Sequence, residues 1–279
     1  MVPRTLPYDL PDFTGRDEER AELAAALASE PIVAIDGMAG VGKTVLALHA
    51  AHAVRDEFPD GQIFLDLRGH TPGAEPLAPT VALARLLRAA GVADPDVPDD
   101  PEVRAAAWRS RIAGRRVLLV LDNAATAQQV RDLLPGDGTA RTLVTSRTRL
   151  VGLDGASCRT LDVMAPDEAL DLLGRVAGVD VTGAHPRPAR AIVDACGRLP
   201  LAIRLVAARW ASRPAWTPAS VVERLADEQA REGLLDDGER GIAKAFAVSY
   251  EHVSLRAART FRLLAEHPAA DFDVLARRR

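Results

Sequence analysis

The chain has 279 residues, 48% hydrophobic and 27% charged, with a net charge of −4 at pH 7. These values fit a soluble globular protein large enough for one large or two small domains. The arginines are scattered among acids, so no basic stripe points to nucleic acid, and no apolar run approaches membrane length.

Met1–Phe13 contains three prolines and is expected to run extended over the surface; its polarity does not suit a secretory signal. Cys158 and Cys196 lack ligand spacing and read as reduced core thiols, so the expected location is cytoplasmic. Thr14-Gly15-Arg16-Asp17 opens a helix from Asp17 to about Leu27 with acids in its first turn. Pro31–Asp36 reads as a short buried strand. Val45, Leu46, Leu48, Ala51 and Val54 then recur at helical spacing. Gln62–Leu67 is a second strand, and a helix runs through Leu83, Leu86 and Leu87. Asp94–Pro101 is expected to be a solvated acidic loop. Arg116–Asp122 is an apolar run closed by an acid, as in a central parallel strand. A helix through Val130 and Leu133 and a strand at Thr142–Ser146 follow. Strands alternating with helices predict an α/β fold, a parallel sheet with helices on both faces. From Asp162 the pattern becomes helical, at about Pro166–Ala177, Pro188–Cys196, Leu199–Ala211 and Pro218–Gln229. A polar break at Asp236–Gly241 precedes helices at Ile242–His252 and Leu255–Glu266, and is expected to offer them little packing. The expected divisions are residues 1–163, 164–236 and 237–279.

Between the first strand and its helix lies Gly37-Met38-Ala39-Gly40-Val41-Gly42-Lys43-Thr44, followed by Val45, with the spacing of a phosphate-binding P-loop. Glycines let backbone N–H groups converge on phosphate oxygens, and the new helix points its positive end at the anion. Lys43 is expected to reach the β- and γ-phosphates and Thr44 to hold Mg²⁺. Lysine occurs only at positions 43 and 244 against 33 arginines, so its retention in the loop opposes the compositional bias. A compact ammonium suits that position where a planar guanidinium does not. About 80 residues on, Asp122 ends its strand where a Mg²⁺-organising acid belongs. Asn123 stands where a second acid would orient the attacking water. An amide positions water but accepts protons poorly, so any hydrolysis is expected to be slow. Arg147, ending the next strand, is placed to sense the γ-phosphate. His49 and His52 are three apart on the loop's helix and read as surface residues; Trp108, Trp210 and Trp216 read as packing residues.

Five motifs carry a resemblance that covers nearly the whole chain: Pro11–Arg16, Gly37–Thr44, Leu118–Asn123, Thr145–Arg147 and Gly197–Ala202. Together they resemble the NB-ARC nucleotide-binding domain of STAND-class signalling ATPases. The form is similar to that of actinobacterial transcriptional regulators related to the antibiotic regulatory proteins. The resemblance implies a P-loop domain, a helical subdomain and the start of a winged helix, binding ATP or ADP with Mg²⁺. It further implies that Phe13, Arg16 and their neighbours meet adenine from one side and Pro200 from the other. The family has glycine where this chain has Arg198, and its winged helix carries a Met-His-Asp motif absent here; His267 precedes Pro268 instead. The implied function is a nucleotide-operated switch with slow ATP hydrolysis as reset, with flanking effector and sensor domains and nucleotide-dependent self-association. Direct nucleic-acid and membrane binding are not expected of this segment. A small-molecule phosphotransferase of the P-loop class is the alternative.

Overall fold

Five strands form one parallel sheet: β1 (Ile32–Asp36), β2 (Gly61–Asp66), β3 (Val117–Ala124), β4 (Arg141–Ser146) and β5 (Ala156–Thr160), in the order β2-β3-β4-β1-β5. The computed structural model describes residues 2–181, 186–238, 241–251 and 253–265. Side chains alternate across each strand, so Leu118 and Val120 of β3 enter one core while Leu119 and Leu121 enter the other. Helices α1 (Asp17–Ser29) and α2 (Lys43–Ala53) cover the first face. Helices α3 (Pro79–Ala89), α4 (Pro101–Ile112) and α5 (Ala127–Arg131) cover the second. With both faces covered, the near-continuous apolar sequence of β3 follows.

The core beneath α1 and α2 continues into helices α6 (Pro166–Ala177), α7 (Pro186–Ala195), α8 (Pro200–Ala211), α9 (Pro218–Ala226) and α10 (Glu228–Leu234). Two more helices, α11 (Ile242–Glu251) and α12 (Leu255–Ala265), follow. Ile242 and Phe246 pack against the same core, so α11 is better seated than the polar break before it suggested. The expected helix ends at His252 and Glu266, the break residues Glu239 and Arg240, and His267 lie outside the described residues.

Several sequence expectations need correction. Asp94–Pro101 does not end as open loop, because Asp100 Oδ1 accepts from the N–H groups of Glu102 and Val103, both at 2.9 Å, and starts α4. Pro101 at its first position suits a helix start, so prolines that looked like loop markers open an element instead. β5 was not anticipated: its Ala-Ser-Cys-Arg-Thr sequence is polar because it lies at a sheet edge, half-buried. The helix expected over Pro218–Gln229 breaks at Asp227, whose carboxylate caps α10 through Ala230 N–H at 2.8 Å. Cys196 is buried, which pushes its thiol up to about 12, whereas Cys158 is half-buried on β5. The N-terminal segment is extended, and it also adds to the β2 edge: Gln62 N–H donates to Pro3 O at 2.8 Å and Thr5 N–H to Gln62 O at 3.0 Å.

Candidate functional site

Because β4 lies between β1 and β3, the carboxyl ends of three neighbouring strands bring the P-loop, Thr145–Arg147 and Asp122 to one sheet edge. Such a crevice outside the strand ends is where open α/β sheets bind ligands. It holds a cavity of about 490 Å³, within the range of small-molecule sites.

The loop between β1 and α2 depends on glycine at two positions in particular. A Cβ on Gly37 would fall 2.5 Å from the Leu161 carbonyl oxygen, and Gly42, at φ 98°, begins α2 in a left-handed conformation. Lys43 is buried and its Nζ donates to the carbonyls of Gly37 at 2.7 Å and Met38 at 2.8 Å. Burial, reinforced by the Arg147 charge, pushes the Lys43 ammonium down to about 8. Thr44 Oγ1 donates to Asp122 Oδ1 at 2.7 Å, and Thr145 Oγ1 donates to the same oxygen at 2.6 Å. Burial nevertheless raises the Asp122 carboxyl above its ordinary value, with the two hydroxyls opposing the shift. A hydroxyl and a buried carboxylate form an all-oxygen set, which suits Mg²⁺ better than a softer metal.

Asn123 sits at φ 57° where β3 and β4 shift register, and its N–H donates to Thr145 Oγ1 at 2.9 Å. The irregularity turns its side chain so that Nδ2 donates to Thr71 Oγ1 at 3.2 Å. Arg147 lines the cavity but is engaged elsewhere. Its Nη1 donates to Ala245 O at 2.7 Å and Ser249 Oγ at 2.8 Å on α11, and its Nη2 to His70 O at 3.2 Å. Partial burial lowers its guanidinium below the ordinary value.

At the other walls, Phe13, Arg16 and Pro200 line the cavity together with Ala39–Val45. Gly37 and Met38 are not part of its lining and enter the site only through their carbonyls to Lys43. Arg16 is buried in a left-handed conformation, with its guanidinium bound to Glu19 and the Asp162 carbonyl and its N–H bound to Glu168. It therefore ties the N-terminal segment to α6 rather than pointing free into the cavity. Gly197 and Arg198, at φ 59° and 53°, turn the chain from α7 into α8, which Pro200 begins. Arg198 thus adopts a conformation that favours the family's glycine.

The sequence reading missed Leu10, Asp66 and Arg204, which line the cavity, and placed Thr145 and Leu201, which line it too, in motifs without giving either a site role. Asp66 had a signal, at the carboxyl end of a strand. Arg204 had none, because its partner Asp12 is 192 positions away.

A family profile for the NB-ARC domain matches residues 17–180. The chain is 44% identical over 99% of its length to regulatory protein AfsR of Streptomyces griseus, and 43% identical over 99% to AfsR of Streptomyces coelicolor. It spans 29% of the length of each of these regulators. Among solved structures, a Walker-type ATPase of Pyrococcus abyssi superposes with a TM-score of 0.60 at 14% identity, covering 97% of this chain and 89% of that one. At that identity the likeness concerns the fold alone.

Proposed function

The chain belongs to the NB-ARC domain family, and from that premise we propose that it is a nucleotide-operated switch within a signalling or transcriptional regulator. The observation that carries this reading is Arg147, which lines the cavity behind the P-loop while its guanidinium holds α11 through Ala245 and Ser249. A γ-phosphate would compete for that guanidinium with charge-assisted bonds, which are stronger than bonds to a neutral carbonyl and hydroxyl. ATP and ADP would then favour different seatings of α11, and a ligand shifts an equilibrium only by such differential affinity.

In this reading Gly37–Val45 cradle the phosphates, Lys43 exchanges its loop carbonyls for phosphate oxygens, and Phe13, Arg16 and Pro200 border the nucleoside. Thr44 and Asp122 would hold Mg²⁺, which when bound neutralises charge developing on the phosphates. Asn123 would position water without taking its proton, so hydrolysis is slow and serves as a reset. Residues 1–163, 164–236 and 237–279 would act as nucleotide-binding, helical and winged-helix units. Flanking effector and sensor domains and nucleotide-dependent self-association would complete a cytoplasmic regulator. The phosphotransferase alternative has less support. Two of the three cavity arginines are committed to this chain's own groups, Arg16 to Glu19 and Asp162 and Arg204 to Asp12, which leaves Arg147 alone to meet a transferred phosphate.

Calorimetric titration with ADP and ATP, with and without Mg²⁺, tests the reading. Binding of both is expected, and Lys43→Ala should cost about 1.5–3 kcal/mol, as for a lost charge-assisted contact. Equal affinities in wild type and variant would overturn the assignment of the loop.

A further inference from the structure

Helix α2 carries Lys43 and Thr44 in its first turn and His49 and His52 further along, and the histidines are not the plain surface residues their spacing suggested. His49 Nδ1 lies 3.0 Å from both carboxylate oxygens of Asp9. An ionised carboxylate only accepts, so Nδ1 carries the proton. His52 Nε2 donates to the Pro7 carbonyl at 2.7 Å for the same reason. The His49 ring also stacks on Phe13, with centroids 4.1 Å apart and planes 5° from parallel. The Arg20 guanidinium lies 5.9 Å from the centroid of the same Phe13 ring. Leu10 and Phe13, on the segment held this way, line the cavity.

We propose that His49 is a positioning residue for the nucleoside part of the ligand, acting through the cavity wall formed by Leu10 and Phe13. The proposal rests on the nucleotide reading given above and adds a role for a side chain that does not line the cavity. One rigid helix then sets both ends of the site. His49 is six residues beyond Lys43, about 9 Å along the helix axis at ~1.5 Å per residue. The phosphate cradle and the N-terminal wall therefore keep a fixed separation. The Asp12–Arg204 pair ties this segment to α8 and the Arg16 N–H ties it to α6, whereas the Asp9 and Phe13 contacts to His49 tie the wall to the helix that carries the phosphate loop's lysine. Removing the imidazole releases Asp9 and Phe13 from α2 together while leaving Lys43 and Thr44 in place.

The test is calorimetry on the whole chain with ADP and with inorganic pyrophosphate, both in Mg²⁺. His49→Ala is expected to weaken ADP about five- to tenfold, the scale of one aromatic pair, and to leave pyrophosphate within about twofold. His49→Phe, which keeps a ring against Phe13, should recover much of the loss. Asp9→Ala, which removes the carboxylate that holds His49 and lies outside the cavity lining, should reproduce a smaller ADP-selective defect and guards against a His49→Ala variant that fails to fold. Equal losses of ADP and pyrophosphate would mean that His49 only supports the helix, and unchanged ADP affinity would mean that the wall needs no support; either overturns the proposal. A wild-type chain that binds pyrophosphate but not ADP overturns it too. A wild type that binds neither sinks the nucleotide reading itself, and this proposal with it.

Discussion

The Thr44 hydroxyl and the Asp122 carboxylate meet across 2.7 Å although 78 positions separate them. The contact joins the first turn of α2 to the end of β3 over the intervening strand β4, whose Thr145 bonds the same oxygen. Local sequence does not dictate that meeting; strand order does. Two hydroxyls donating to one buried carboxylate oxygen keep the acid oriented, while burial leaves it more basic than a solvated aspartate. A divalent cation would relieve the desolvation that the hydroxyls offset only in part.

Asp122→Ala is therefore expected to remove the Mg²⁺-dependent part of ATP affinity and any residual hydrolysis, while binding in EDTA changes little. Titrations with Mg²⁺ and with EDTA check this. Turnover that survives the substitution would assign the metal to another acid.

Arg147→Ala should loosen α11 from the sheet edge, since the guanidinium supplies hydrogen bonds to both Ala245 and Ser249. Amide exchange across Ile242–Glu251 should accelerate, and Ser249→Ala, which removes one of the two bonds, should have a smaller effect. Adding ATP to the wild type should move exchange in the same direction as Arg147→Ala, whereas ADP should not. Identical exchange with both nucleotides would remove the link between phosphate and helix.

The sheet core and the loop were legible because their signals are local: an apolar run, a glycine spacing, an acid closing a strand. Elements whose existence depends on a neighbour were less so. β5 reads as polar loop until its pairing with β1 aligns Thr160 with Asp36. The start of α4 was hidden by prolines that mark loops and helix openings alike. The cavity walls away from the loop were least legible. Asp12 with Arg204, Arg16 with Glu168 and Asp9 with His49 pair residues 40 to 192 positions apart, and no periodicity encodes such partners.

Trp108 shows how a residue read only as packing acquires a defined cost. It is fully buried in the core of the second sheet face, and its Nε1–H donates to the Leu133 carbonyl at 2.8 Å. Trp108→Phe keeps most of the apolar volume but leaves that carbonyl unpaired, so unfolding free energy should fall by about 1–3 kcal/mol. Trp108→Ala adds a cavity and should lose about 3–5 kcal/mol. Urea titrations separate the two, and equal losses would show that the cavity adds nothing beyond the lost hydrogen bond.

The last expectation concerns acid. Asp12 and Arg204 join the N-terminal segment to α8 through a two-point contact at 2.6 and 3.0 Å. The Arg204 hydrogen bond, aided by its charge, holds the Asp12 carboxyl below its ordinary value of 3.8. The unfolded chain then binds more protons than the folded one between 3.8 and the lower folded value. Stability from this pair is thus complete above that window and is lost as pH falls through it. Asp12 is 39% exposed, so water screens the pair, and its contribution at neutral pH should stay within about 1 kcal/mol. The wild type should exceed Asp12→Asn in urea midpoint at pH 7, and the gap should shrink in 1 M salt, begin to close as pH drops below 3.8 and vanish once pH has fallen through the lower folded value. A gap that survives both acid and salt would mean that the side chain acts by shape, since only a charge can be titrated and screened away.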